Sequence, residues 1–330
     1  MGRGARRTTE RRERSRRPVL LVAGLALLVL VAGPIIGFFL VYTAPSQEWF
    51  ARVNGVAIPR TALVDVLRAN QIDASLEHLP FDARAQAFDT ATLLIENEVL
   101  RQKADTLGVA VSEEDVEREL AAQLAPQLDP ADLDTSGRAE LAEAKRQYAD
   151  LRRLDVDELE RLAEGELLRR EATEALGRSI PDPQPQLRLH SIVVADVETA
   201  ARIESEAAQG VPFEELVRRY SFEPAAGDLG WLPYDALPPA AADLLWSLPP
   251  LEFAPPFQRE DGAIVVYVVS TRDPSRELDP VARQLAEEVA FESWLGETLA
   301  AQEVELQLDS ETLEWVAEQL AQTPSLGPRV

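Results

Sequence analysis

Between Val19 and Tyr42 lie 24 consecutive residues without a charge, mostly Leu, Val, Ala, Ile and Phe. At 1.5 Å rise per residue, a helix of that length reaches about 36 Å, enough to cross a hydrocarbon core of about 30 Å. The run has no polar periodicity and carries a basic flank, which sets it apart from a buried core helix. It also exceeds the roughly 7–15 apolar residues of a cleaved signal peptide, the competing reading, and Tyr42-Thr43-Ala44 is a poor cleavage signal. Gly33-Pro34 allows a kink of the kind membrane helices tolerate. Residues 1–17 hold eight Arg and two Glu, a local charge of +6. The positive-inside rule keeps such a flank in the cytoplasm and puts everything after Tyr42 outside. The expectation is a single-pass cell-membrane protein: a basic cytoplasmic segment at 1–17, a transmembrane helix at 18–42 and an extracytoplasmic body.

The body has the opposite charge. The chain totals −24, so residues 18–330 carry −30. That balance argues against nucleic-acid binding, which needs cations facing phosphates. There is no cysteine, and His78 and His190 are the only histidines. Disulfides, thiol catalysis, a lipid-modified Cys and Cys- or His-rich metal sites are thereby excluded. No metal and no cofactor is expected. Only Lys103 and Lys145 among the 33 basic residues are lysines, a bias with no functional reading.

Along the body, VNGVAI (Val53 to Ile58) reads as strand around a tight Asn54-Gly55 turn, and Pro59 can open a helix bearing Leu63, Val66 and Leu67. A longer helix runs from Phe81, with Phe88, Ala91, Ile95 and Val99 at helical spacing, to a stop at Gly108. Ser112 can cap the next helix, whose Glu113, Glu114 and Asp115 suit the positive end of the helix dipole. After a break at Pro126 to Pro130, a charge-dense helix spans about Asp155 to Leu176. Three prolines in Pro181 to Pro185 mark a domain boundary. Beyond them the pattern predicts a strand (Leu187 to Val194), helices at Val197 to Gln209 and Phe213 to Tyr220, a Gly-rich turn, a short helix (Ala240 to Leu248) and a β-branched strand (Ala263 to Ser270). A helix capped by Asp279, a strand at Val304 to Leu308 and a helix over 310–322 complete the chain. The expected class is α+β, a mostly helical body with a small antiparallel sheet flanked by helices.

Five motifs in order over about 85 residues resemble the parvulin (PpiC-type) prolyl isomerase family: RLHSIVV (Arg188 to Val194), FEELVRRYS (Phe213 to Ser221), GDLGW (Gly227 to Trp231), ALPPAAADLLWSL (Ala236 to Leu248) and DGAIVVYVVS (Asp261 to Ser270). The flanks VNGVAI and LLIENEVLRQKADTLGVAVSEEDVERELA (Leu93 to Ala121) are similar to the N-terminal domain of SurA-like and PrsA-like foldases. AFESWLGETLA (Ala290 to Ala300) with VELQL resembles the piece that returns to that domain after the isomerase insertion. An anchor without a lipidated Cys makes the layout more like the PpiD type. The resemblance implies a helical chaperone domain at 46–180, a parvulin-like domain at 185–273 and returning helices at 278–322.

Isomerising a peptide bond breaks nothing. It needs an apolar pocket for the proline ring and polar groups that favour the twisted amide over its planar states. The family is thought to use two histidines, a Cys or Asp at the pocket floor and an apolar clamp, usually Met and Phe. By resemblance, His190 takes the first histidine position and Glu223 the acid position. Leu237 and Ala241 take the clamp positions, and Ile264 the second histidine position. The site is therefore expected to be partly degenerate. Read without the family, His190 is a histidine bonded within a sheet, Glu223 a solvated loop carboxylate, and Trp231 and Trp246 core residues. The implied function is a foldase for unfolded or proline-containing secreted polypeptides. The alternatives are a non-catalytic holdase and an envelope scaffold.

Overall fold

Asn54 and Gly55 both take positive φ (51° and 84°), as a two-residue hairpin turn requires. They join β1 (Trp49–Val53) to β2 (Val56–Pro59). Then follow α1 (Arg60–Leu76), α2 (Ala83–Lys103), α3 (Glu113–Leu124), α4 (Thr135–Arg152), α5 (Val156–Gly177), β3 (Gln184–Val194), α6 (Val197–Ala208), α7 (Phe213–Tyr220) and β4 (Gly227–Pro233). The chain continues through α8 (Ala242–Ser247), β5 (Phe257–Gln258), β6 (Ile264–Arg276), α9 (Pro280–Ala300), β7 (Val304–Leu306) and α10 (Ser310–Ala321). This computed structural model describes residues 48–322 apart from 132, 224–226, 239 and 260. The expected membrane helix at 18–42 lies outside the described residues. Among those described, no helix is long and apolar enough to cross a membrane.

The class is α+β, mostly helical with small antiparallel sheets. Three elements depart from the sequence reading, one of them the short strand β5, which it lacks. GDLGW is strand rather than turn, the first part of β4. The helix α4 goes unread because only Gly137, Leu141 and Ala149 of it are buried, too few to show as a stripe. Asp134 caps it by accepting from the Gly137 N–H at 2.7 Å.

The described chain divides into two units. The first gathers residues up to Ile95, Gln123–Arg161 and the stretch from Glu303 onward. In it β1 is the middle of a three-stranded sheet ordered β2-β1-β7, so the late strand β7 returns to the earliest one described. Phe50, Leu63, Leu67 and Leu141 are fully buried there, and α10 packs against α1. Arg60 is buried too, its guanidinium 2.6 Å from Glu48.

The second unit comprises Glu96–Ala122 and Leu162–Gln302. Its sheet is ordered β4-β3-β6-β5, antiparallel throughout. One face packs Ile192, Val194, Ile264 and Val266 against Ile203 of α6 and Leu216 of α7. The other packs Leu187, Leu189 and Val269 against Leu237, Ala241 and Leu245. The proline stretch lies inside this unit. There the Asp182 carboxylate accepts from the Leu278 N–H at 3.0 Å and pairs with Arg283, tying the entrance of β3 to the start of α9.

Candidate functional site

Side chains alternate between the two faces along a strand, so parity decides which residues share a pocket. His190 lies with Ile192 and Val194 on the α6–α7 face, its ring edge-on to Phe213 at 5.3 Å. Ser191, between His190 and Ile192, points the other way and is buried. On β6, Ile264, Val266 and Ser270 share the His190 face, while Val265, Tyr267 and Val269 share the face of Leu237 and Ala241.

The register completes the picture. Ile264 lies opposite Val194, whereas His190 lies opposite Val268, so Ile264 does not face His190. Ile264 is packed in the apolar cluster beneath α6 and α7. What faces His190 is Ser270, with Nε2 and Oγ 2.9 Å apart. Irregularities in β3 at Arg188–Leu189 against β6 and at Leu189–His190 against β4 leave Ser270 and Leu229 outside the paired register on either side. Gly230, with φ 82°, supplies the left-handed backbone needed beside Leu229.

On its other side His190 Nδ1 is 3.8 Å from Asp228. That carboxylate is already held by Arg188 and by the Gly230 N–H. The Arg188 bond, first, keeps the Asp228 pKa below its ordinary value. Burial is the largest effect on His190 and lowers its pKa, with Asp228 opposing. Ser270, His190 and Asp228 have the composition of a hydrolytic triad. The Nδ1 to carboxylate gap is too long for a hydrogen bond, and the carboxylate is committed to Arg188. The arrangement is a structural tether across three strands.

The clamp positions sit on the opposite face. Leu237 and Ala241 are buried in one cluster, with Tyr267 packed against it. Tyr267 is the cross-strand partner of Ser191, and its ring meets Phe257 edge-on at 5.8 Å. Burial, first, raises the pKa of its phenol, while Arg259 lowers it and Glu223 raises it. Glu223 is half-buried and bonded to Arg259 at 2.7 Å, and Arg259 also holds Asp261 at 2.6 Å. The short helix α8 that follows Ala241 ends on Arg272, whose guanidinium donates to the carbonyls of Leu245 and Trp246 at 3.0 Å each and to that of Leu248. A cation there suits the negative end of a helix dipole.

Of the five expected site residues, then, Leu237 and Ala241 come together, Glu223 is bonded to Arg259 just beyond β5, and His190 and Ile264 lie on the far face. Ser191, Tyr267, Arg259 and Arg272 were not foreseen. The alternation of Leu187, Leu189 and Val193 with their neighbours is the signal that places Ser191 on the clamp side. A one-residue difference in parity moves a side chain through the sheet. No group of His, Asp and Glu able to hold a metal occurs among the described residues.

No family model matches the sequence. Foldase protein PrsA of Halalkalibacterium halodurans is 25% identical over 268 residues, covering 79% of this chain and 75% of that protein. Over most of its length the chain is similar to a PrsA foldase. Among solved structures, PrsA from Bacillus anthracis is 17% identical, covering 69% of this chain and 93% of that one with a TM-score of 0.37. A structure of SurA-like chaperones from Campylobacter jejuni matches at 13% identity, covering 79% and 100%, with a TM-score of 0.24. Superpositions this loose carry no argument, and the relationship to PrsA rests on the sequence match. In this chain the clamp-side cross-strand pair is a serine and a tyrosine.

Proposed function

We propose that the chain is a membrane-anchored, extracytoplasmic foldase of the parvulin kind that binds unfolded or proline-containing clients and isomerises X-Pro bonds weakly or not at all. The PrsA match over most of the body supports the foldase reading. The anchor is supported by the uncharged run from Val19 to Tyr42 and its Arg-rich flank. The observation that carries the weak-catalysis reading is the Ser191–Tyr267 pair beside Leu237 and Ala241.

An uncatalysed peptide rotation faces a barrier of about 18–20 kcal/mol, and only groups that bind the twisted amide better than the planar one lower it. Ala241 offers little wall for a proline ring. The Glu223 carboxylate is paired with Arg259, and Tyr267 presents a phenol rather than an imidazole. His190 is turned to the opposite face and engaged by Ser270.

Residues 185–273 are proposed as a domain inserted between 46–180 and 278–322. The contacts of Asp182 with Leu278 and Arg283, which join the two ends of the excursion, support this. Removing 185–273 and joining the ends should leave a folded helical protein by circular dichroism, and an unfolded product would refute the insertion. The activity is tested by turnover of a proline-containing peptide alongside suppression of aggregation of a denatured client. Suppression with little turnover is expected; rapid turnover refutes the degenerate site, and neither activity refutes the foldase reading.

A further inference from the structure

A cleft of about 670 Å³ opens in the second unit, away from the Ser191–Tyr267 pair. Ile180, Pro181, Tyr234 and Trp294 of α9 line it. Asp235 and Glu297 also line it. Leu237 is shared with the clamp positions, but Ser191, Glu223 and Tyr267 do not line it.

The walls are held by the protein itself. Asp182, next to Pro181, is bonded to the Leu278 N–H and to Arg283, which fixes the strap to α9. The Tyr234 hydroxyl donates to Asp243 at 2.5 Å, and its ring stands edge-on to Trp246 at 5.5 Å and 87°. The Tyr234 ring is therefore preset where it lines the cleft. A rigid aromatic groove costs little ordering when an extended chain docks in it, and proline-rich or otherwise extended segments use such grooves.

Charge selects the occupant. Neither the Asp235 nor the Glu297 carboxylate has a hydrogen-bond or ion-pair partner among the described residues. Two unpaired carboxylates among aromatic and apolar side chains match a segment in which an apolar or proline residue stands next to Arg or Lys. They repel acidic segments, as does the strongly acidic body. We infer that this cleft is a second client-binding site, selective for extended polypeptide segments that place a basic residue beside an apolar one. The inference rests on the foldase reading and assigns it a site and a preference outside the isomerase pocket.

The test measures fluorescence anisotropy of two labelled decapeptides, one alternating Leu and Arg, the other alternating Leu and Glu, against the full chain in detergent. Three variants are compared: Asp235→Asn with Glu297→Gln; Ala290→Trp, which fills the cleft from α9; and Glu113→Gln with Glu114→Gln, which removes the same charge elsewhere. The Leu–Arg peptide should bind, and the Leu–Glu peptide should bind at least tenfold more weakly. The Asp235/Glu297 variant should lose about tenfold for the Leu–Arg peptide, Ala290→Trp should lose more, and the Glu113/Glu114 variant should match the wild type. Equal losses in the two charge variants would assign the preference to overall charge and overturn the cleft, as would binding untouched by Ala290→Trp. Binding that appears only as the protein self-associates would overturn it in favour of a second copy as occupant. Suppression of client aggregation, measured on the same proteins, tests the foldase reading separately: its absence in the wild type with peptide binding intact sinks that reading and leaves the site.

Discussion

Ser191 and Tyr267 lie directly opposite one another on β3 and β6, on the sheet face that packs against Leu237 and Ala241. A ring held by the clamp positions would meet these two side chains before any histidine.

That placement separates two repairs. Ile264→His would bury an imidazole among Ile192, Val194 and Val266, costing about 2–5 kcal/mol with no gain in turnover. The combination Ser191→His, Tyr267→His and Ala241→Phe puts two imidazoles and a ring wall on the clamp side. It should raise proline-peptide turnover at least tenfold, which corresponds to about 1.4 kcal/mol of transition-state stabilisation. Thermal melting is checked first. A folded triple variant with unchanged turnover, or a gain from Ile264→His alone, would reject the parity argument.

Arg272 is the second lever. Its guanidinium satisfies carbonyls at the end of α8. Arg272→Ala should destabilise the protein by about 1.5–3 kcal/mol, the range for bonds to a charged donor. Hydrogen exchange should quicken in 242–248 before it does in β3. Uniform quickening would mean that Arg272 supports the sheet rather than the helix end.

Asp65 and His190 give opposite pH signatures. Burial, first, and then Glu158 and Asp155 against the pull of Arg68, push the Asp65 pKa up to about 6 from 3.8. The folded state therefore binds the proton more tightly than the unfolded chain. This contribution to stability is fully present below about pH 3.8 and is lost as pH rises through about 6. Burial lowers the His190 pKa, so its contribution is present above 6.5, the unfolded value, and is lost as pH falls below that through the lowered folded value. Asp65→Asn should raise the melting midpoint at pH 8 relative to wild type and flatten its fall between pH 3.8 and about 6. An unchanged slope would show that Asp65 titrates normally.

The topology is open to a direct measurement. Protease added to intact cells, or to spheroplasts where an outer membrane intervenes, should digest the body after Tyr42 and spare the Arg-rich flank. Protection of the body, or a mature form starting near Pro45, would refute the anchored arrangement.

Local signals placed most elements well. Phe213–Tyr220 has the bounds its apolar spacing predicts, and Asp279 caps α9 by accepting from the Ala282 N–H at 2.9 Å. Asn54-Gly55 makes the predicted hairpin. What escaped was pairwise and non-local. The alternation around His190 gives the face it takes, but its contacts with Phe213 and with Ser270, 80 residues away, are not written in that spacing. Arg272 reads as a surface cation, and its capping role exists only once β6 lies under α8. α4 buries too little to announce itself.

The return of β7 to β1 bears on how the chain is made. Val53 pairs with Val304, and the Glu303 N–H donates to the Asn54 side chain across 249 residues. A ribosome delivering the chain from its N-terminus leaves that edge of β1 unpaired until almost the whole body has emerged. The intervening sheet of β3 to β6 meanwhile has all its strands in hand and can settle first. Closing so long a loop is entropically cheap per added residue but slow to sample. A nascent chain of this design therefore spends most of its synthesis with an open strand edge.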